Sequence, residues 1–510
     1  MKKNQLLLIM VMMFVSLSCD KASLDKSNPN ALTPSTYFKN VGELTRGVNA
    51  VYAIWQSTNL MGREYFFLHD LRSDEVASGG GQLETPRNQV LIGAQNSTNS
   101  VVVEVWNGLY RSILRANTVI DNSSNAIDAT SPDVQRIVGE AKFLRALAYT
   151  DLVSMWGAVP LHTTVATSTS GSLAKSPEAE VYARITRDLL DGESTLPLNY
   201  GSSDLGRATK GAAQMLLARA YMNQGKYDSA RLKLQSMISS GAYKLESDYN
   251  NNFIEETEWN GESVFEIGYG TAGDFNWATD ANDEGGANEK SVRSQEYSAV
   301  GWRNLIPSNS AIAEFEDTLK GDPKTDPRRS YSFYIIGDTY NNGLSVLKDS
   351  LVQGNTSIFA GITTKVSWRK YSLLYKSEPG GFATSGINHR LMRYSDALLM
   401  MAECENELDN PGAAIALLNE VRARANVAMP PYPTVNYPVS NKQDIFRAIV
   451  HERRVELGGD LVRTRDILRW LKNGKINAGP LPNFNRLLPI PQQEIDSNDK
   501  IAQSDQNPGY

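Results

Sequence analysis

Groups able to do chemistry are plentiful in this chain, but few are spaced for it. The four histidines, His69, His162, His389 and His451, lie far apart, and no His-Glu-x-x-His pattern sets two of them on one helix face, as in a zinc metalloprotease. There is no Gly-x-Ser-x-Gly elbow and no Walker A loop. Glycoside cleavage needs two carboxylates across the broken bond, and acids are abundant here, yet no spacing singles out a pair. The one metal-like run is DANDEGG. Its Asp280, Asn282 and Glu284 fall at positions one, three and five of an EF-hand loop, with Gly285 at six. Position twelve is Ser291 rather than a bidentate glutamate, so a solvated acidic loop is the simpler reading, with calcium as the alternative. No other cofactor is indicated. The chemistry expected is binding, not turnover.

Charge narrows the partners. Lys+Arg 51 against Asp+Glu 57 gives a net charge of -6, which leaves no footprint for nucleic acid. Arg453, Arg454, Arg463 and Arg465 are interleaved with Glu452, Glu456 and Asp466, a pattern that predicts internal ion pairs. The chain has two cysteines. Cys19 follows a basic start (Lys2, Lys3) and an apolar run, Leu6–Leu17, too short to span a bilayer. This resembles a bacterial lipoprotein signal over 1–18, with Cys19 as the lipidated residue and 19–35 as a polar, proline-bearing tether. Ser16 stands where leucine is usual, and an ordinary secretory signal with an incidental cysteine is the alternative. With Cys19 lipidated, Cys404 has no disulfide partner and is expected to be a small buried hydrophobe.

The elements that must position any site are mostly helical. Arg393–Ala425 reads as two antiparallel helices, with Tyr394, Ala397, Leu398, Met401 and Leu408 on one face of the first. Asn410-Pro411 supplies a cap and a first-turn proline for the second. Gly211–Ser240 repeats the layout: Ala218, Ala230 and Leu234 recur in spacing at Ala402, Ala414 and Leu418, as in a tetratricopeptide unit. Helices are also expected over 36–56, over the segment holding Trp106, Leu109, Tyr110, Ile113 and Val119, over 139–157, after Pro177, and over 444–474. HDLRSDEVASGGG reads as a polar loop carrying Asp70, Arg72, Asp74 and Glu75. NGESVFEIGYG reads as a strand, and the irregular stretches near 259–310 and 338–386 as long insertions with short strands or hairpins.

Several of these stretches, taken in order, carry a family resemblance: LDKSNPNALT, EAKFLRALAY with Gly157 and Pro160, GRATKGAAQMLLARAY, RYSDALLMMAE, NEVRARA, HERRVEL, LLPIPQQEI and QNPGY. The chain resembles SusD/RagB-family outer-membrane lipoproteins through nearly all of its mature length. It departs at GGD after HERRVEL, where the family commonly has a glutamate-glycine pair. The resemblance implies a mainly α fold with a tetratricopeptide-like helical scaffold, forming one domain over 36–510. It also implies a surface-exposed, lipid-anchored protein of the outer membrane that captures a nutrient, usually an oligosaccharide. Such a protein passes its ligand to a SusC-like TonB-dependent transporter. Peptide binding is the alternative within the family, and a helical-repeat adaptor for proteins the alternative outside it.

A sugar presents apolar faces and a rim of hydroxyls, so its binder needs flat aromatics beside planar hydrogen-bonding groups. Trp277 and Tyr297, with Asp280, Asn282 and Arg293, have that composition in the first insertion. Trp302 lies just beyond. Arg72 and Asp74 in the early loop and Tyr340 in the second insertion complete the candidate set. For any one of these aromatics, core packing is the plainer expectation.

Overall fold

The computed structural model describes residues 34–166, 171–270, 275, 290–378, 384–481 and 483–510. Its frame is helical, and several of the long helices begin on a residue whose side chain caps them. Asn40 accepts a hydrogen bond from the Glu43 amide (3.0 Å) and opens Val41–Trp55; a separate turn, Pro34–Tyr37, precedes it, so the expected single helix over 36–56 is interrupted. Asn99 caps Ser100–Asn122, Ser131 caps Pro132–Trp156 and Thr209 caps Lys210–Met222. Gly157, at φ +76°, ends the longest of these in a left-handed conformation that suits glycine.

Successive helices pack against one another. Pro132–Trp156 lies between Ser100–Asn122 and Glu178–Thr195, and Lys210–Met222 pairs with Tyr227–Ser239. The second repeat, Tyr394–Glu407 with Pro411–Arg422, packs on Tyr227–Ser239 of the first, which is the tetratricopeptide-like stacking that the matched spacings predict. Two details differ from expectation. Tyr394–Glu407 has no solvent face: Tyr394 to Asn406 are all buried, because neighbours cover both its sides. Asn410 makes no side-chain cap; its amide donates instead to Glu405 (2.8 Å). Cys404 is buried and free, as expected.

The insertions are anchored by short strands. Ser263–Ile267 pairs antiparallel with His389–Arg393, which runs straight into the second repeat. Val76–Ser78 pairs with Leu305–Pro307, and Phe333–Ile335 with Val366–Trp368. Thr339–Tyr340 with Ser345–Val346, and Ser357–Phe359 with Ile362–Thr364, make the hairpins expected in the second insertion. One apolar core runs from Phe38 to Ile490, with helices and strands both contributing.

Beneath the insertions lies a buried network of charge. Glu262 accepts from Arg393 (2.7 Å) and Arg424 (2.6 Å), and Glu456 accepts from Arg393 (3.0 Å), Arg424 (2.8 Å) and Arg328 (3.1 Å). Burial alone would raise both carboxyls, but the Arg424 and Arg393 guanidiniums outweigh it and hold them below the usual range. Arg453 pairs with Asp466 (2.6 Å), Arg463 with Asp74 (2.7 Å) and Arg465 with Asp151 (3.3 Å), so the interleaved charges of the C-terminal helices are internal pairs. Asp460, in the divergent GGD, accepts from Arg393 at 2.6 Å, so the altered triplet still makes a buried contact. Among the described residues no helix is long and apolar enough to cross a membrane.

Candidate functional site

Three segments cross where the first insertion meets the early glycine run. The amide of Gly79 donates to the Asn304 carbonyl (2.8 Å), and the amide of Asn355 donates to the Gly79 carbonyl (2.7 Å). The chains are so close that side chains would not fit. A Cβ on Gly79 would stand 1.7 Å from the Arg303 carbonyl oxygen, and one on Gly354, itself at φ +79°, would stand 1.9 Å from the Gly79 oxygen. Arg303 is buried and takes a left-handed φ of 51°, with its guanidinium spent on the carbonyls of Gln353 (2.6 Å), Asn355 (2.9 Å) and Val366 (2.8 Å) and on Ser367. Burial pushes that guanidinium down to about 10. Arg303 therefore serves as the bolt of this corner.

Trp302 is presented immediately beside the bolt and is half-buried. The Gln353 side-chain amide donates to the carbonyls of Gly301 (3.0 Å) and Trp302 (3.1 Å), and Asn355 donates to the Ser78 carbonyl (3.1 Å). The Arg63 guanidinium lies 6.0 Å from the Trp302 ring, held by Glu296 (2.9 Å) and Glu84 (3.4 Å). A shallow cavity of about 380 Å³ adjoins, lined by Ala77, Ser78, Ile306, Asn309, Asn355 and Thr356 among others. An aromatic ring, an oriented cation and several amides on a rigid, partly exposed corner can stack against a flat apolar face and hydrogen-bond the groups around it.

The other sequence candidates are placed differently. Tyr297 is 3 % exposed, its ring against Phe66 (5.5 Å) and Phe67 (5.8 Å), so it belongs to the core and not to a stacking platform. Arg293 is buried, donates to the Gly459 carbonyl and lies 4.3 Å from the Tyr371 ring. Arg72 is buried too and donates to the carbonyls of Asn485 (2.6 Å) and Arg486 (3.1 Å), which fastens the C-terminal coil. Asp74 receives Arg463 in a bidentate pair (2.7 and 2.9 Å); burial would raise its carboxyl, but Arg463 holds it below its usual value. Tyr340 packs with Tyr334, Leu347 and Leu374 in a satellite core. The segment carrying Asp70 to Glu75, expected as a polar loop, is thus mostly interior: Asp70 lies in the helix Glu64–Leu71, and Asp70, Arg72 and Glu75 are all buried. Trp277, Asp280, Asn282 and Glu284 lie outside the described residues, as does Cys19. Among the described residues no group of three or more histidine, cysteine, aspartate and glutamate side chains is arranged to hold a metal.

The site's other members, Arg63, Glu84, Gln353 and Asn355, were not singled out in the sequence. The available signal was SGGGQ: three consecutive glycines after a strand mark a place where backbones approach closely.

Comparison with known proteins agrees with this architecture. Residues 261–480 match the model described as the SusD family, and residues 24–222 match one described as starch-binding associating with outer membrane. A SusD-like protein of Formosa agariphila is 28% identical, with 100% of each chain covered. The crystal structure of a SusD superfamily protein from Bacteroides vulgatus superposes with a TM-score of 0.75 at 24% identity, covering 93% of this chain and 100% of the other. Surface glycan-binding protein A from Bacteroides thetaiotaomicron, in complex with laminarihexaose, superposes with a TM-score of 0.71 at 22% identity, covering 90% and 98%. The helical-repeat frame is thus shared with SusD structures over 93% of the chain, and with two family models accounting for most of its length this chain belongs to the SusD family.

Proposed function

We propose that this protein captures oligosaccharide at the outer face of the outer membrane, without cleaving it, and delivers it to a SusC-like TonB-dependent transporter. Residues 1–18 act as the export signal, Cys19 carries the lipid, 19–35 form the tether, and 36–510 form one folded body. The helical array supports the transporter contact, and the insertions near 259–310 and 338–386 form the ligand surface. The observation that carries the reading is Trp302: a half-buried indole on a corner fixed by Arg303, its backbone carbonyl held by the Gln353 side-chain amide. A laminarihexaose complex of a structural neighbour and the starch-binding description of the N-terminal match support a glycan as the ligand class. Of the sequence candidates, Trp302 is retained at the centre of the site. Trp277, Asp280 and Asn282 are proposed to extend it.

The test is a calorimetric and affinity-electrophoresis screen of the body from Asp20 onward against plant, host and microbial glycans, with mixed peptides alongside. A glycan hit that weakens in Trp302→Ala supports the reading. Binding of peptides alone would sink it in favour of peptide uptake. Radiolabelled palmitate incorporated into the wild type but not into Cys19→Ser would support the anchor.

A further inference from the structure

A second aromatic lies at the junction of two cavities well away in sequence from the Trp302 corner. One cavity, of about 370 Å³, is lined by Asn49, Gln56, Ser203, Trp259 and others; the second, of about 210 Å³, by Asn199, Tyr200, Tyr243 and Asn260 among others. Leu205, Gly206, Arg207, Trp259 and Glu266 border both. Trp259 supplies the one aromatic ring of the partition between them. The larger space falls at the small end of ligand pockets, about 300–1,000 Å³.

The partition is built in with some strain. Trp259 has a φ of 56°, a left-handed conformation uncommon for a bulky side chain. Its amide donates to Glu266 (3.3 Å), and the Glu266 carboxylate is itself held by Asn388 (2.8 Å) and Arg390 (3.2 Å). The far edge of the ring is received by two glycines. A Cβ on Gly206 would come 2.7 Å from Cη2 and one on Gly268 would come 3.1 Å from Cζ2, so larger residues at either position would displace the indole.

The lining chemistry selects among ligands. Its charged groups are matched within the protein: Arg207 to Asp204 (2.7 Å) and Glu140 (3.0 Å), Glu266 to Arg390. An ionic ligand would find no unspent charge of opposite sign among these groups. The remaining lining offers the side-chain amides of Asn49 and Asn199; Gln56, Tyr200 and Ser203 each donate within the protein, to the Gly268 carbonyl (2.6 Å), the Ala208 carbonyl (3.1 Å) and Asp204 (3.0 Å), and keep their oxygens as acceptors, with the indole and the exposed Leu205 as apolar surfaces. Flat aromatic surface beside neutral hydrogen-bonding groups is suited to a polyhydroxylated ring.

We infer that the Trp259 cleft is a second sugar site, sized for one or two neutral pyranose units and sharing no residue with the Trp302 corner. The inference rests on the glycan-binding reading above.

The test uses the body from Asp20 onward labelled with ¹⁵N-tryptophan, whose eight indole peaks are assigned by single Trp→Phe variants. The probes are methyl glycosides of glucose, galactose, mannose and xylose, with maltose and laminaribiose, at millimolar concentration. A neutral sugar should shift the Trp259 peak in the wild type and in Trp302→Ala. The shift should vanish in Ala53→Tyr, which fills the larger cavity, while the other indole peaks stay in place. If that variant perturbs the whole spectrum, Asn49→Tyr, at an exposed position of the same wall, replaces it. A shift at Trp302 alone overturns the second site and leaves the proposed function standing. A Trp259 shift lost in Trp302→Ala, or one that survives filling the cavity, also overturns it. No shift at either indole overturns both readings together.

Discussion

The carbonyl oxygen of Arg303 occupies the space that a side chain on Gly79 would need: a Cβ there would lie 1.7 Å from it. That contact is between backbones and has no flexible side chain to give way. Gly79→Ala should therefore destabilise the protein by about 1–3 kcal/mol, as overpacking does. A urea unfolding midpoint would read the loss. Because the Arg303 corner also carries Trp302, glycan affinity of the folded variant should fall as well.

Trp302→Ala removes the ring and leaves the bolt. Affinity for the glycan ligand is expected to fall about tenfold, the equivalent of ~1.4 kcal/mol, with the unfolding midpoint unchanged. Calorimetry against the best ligand of the screen measures the first, and the same urea titration the second. Equal affinity in the variant would remove Trp302 from the site.

His451 sits between Glu314 (2.8 Å) and Glu316 (3.6 Å), under Tyr437 and beside Glu452. Burial would lower its pKa, but the hydrogen bond it donates to Glu314, with the Glu316 carboxylate close by, holds it up to about 9, and the two glutamates in turn are held at about 2. A folded pKa above the unfolded value of about 6.5 means that the stabilisation is complete below pH 6.5 and is lost as pH rises through 9. His451→Gln should therefore be clearly less stable than wild type at pH 6, and the gap should narrow by pH 9.5. Denaturation midpoints at the two pH values decide it; a constant gap would contradict the pairing.

Arg393 joins Glu262, Glu456 and Asp460 at the centre of the buried network. Arg393→Met leaves those carboxylates short of a partner and should cost roughly 3–5 kcal/mol. A fall in the thermal midpoint of about 3–5 °C is expected for a chain of this length. A near-neutral result would show that the remaining arginines suffice.

Cys404 is fully buried, and burial, with Glu403 adding to it, pushes its thiol well above the usual range. In the Cys19→Ser protein, iodoacetamide should leave the native chain unmodified and add one adduct in denaturant, as mass spectrometry would show. Modification under native conditions would place Cys404 near solvent.

The frame was readable from sequence because local rules decide it. Ala218, Ala230 and Leu234 find their counterparts at fixed spacing, and apolar residues recur at helical intervals; the caps Asn40, Asn99 and Thr209 were not singled out, and Asn410, which was, makes no side-chain cap. The site was less readable because composition does not say which way a side chain faces. Asp74 and Arg72 look like loop polarity, but their partners are Arg463 and the carbonyls of Asn485 and Arg486, nearly 400 residues on or more. Tyr297 and Tyr340 have the same chemistry as a stacking residue and are spent on packing. Trp259 marks the start of the first insertion, yet its role depends on Gly206 and Gly268, which only the fold brings to its edge.

The long-range ion pairs also limit how genes of this kind can recombine. Arg219 pairs with Asp396 (2.9 Å), Asp151 with Arg465 (3.3 Å), and Arg63 with Glu296 (2.9 Å). A crossover near residue 240 takes the two members of all three couples from different parents, so wherever one parent lacks the matching partner a charge is stranded in the interior, at a cost of about 3–5 kcal/mol. Exchange confined to the hairpins of 339–346 and 357–364 breaks none of them. Diversification by grafting those outer hairpins, over an inherited and indivisible helical frame, is the route that the charge pairing leaves open.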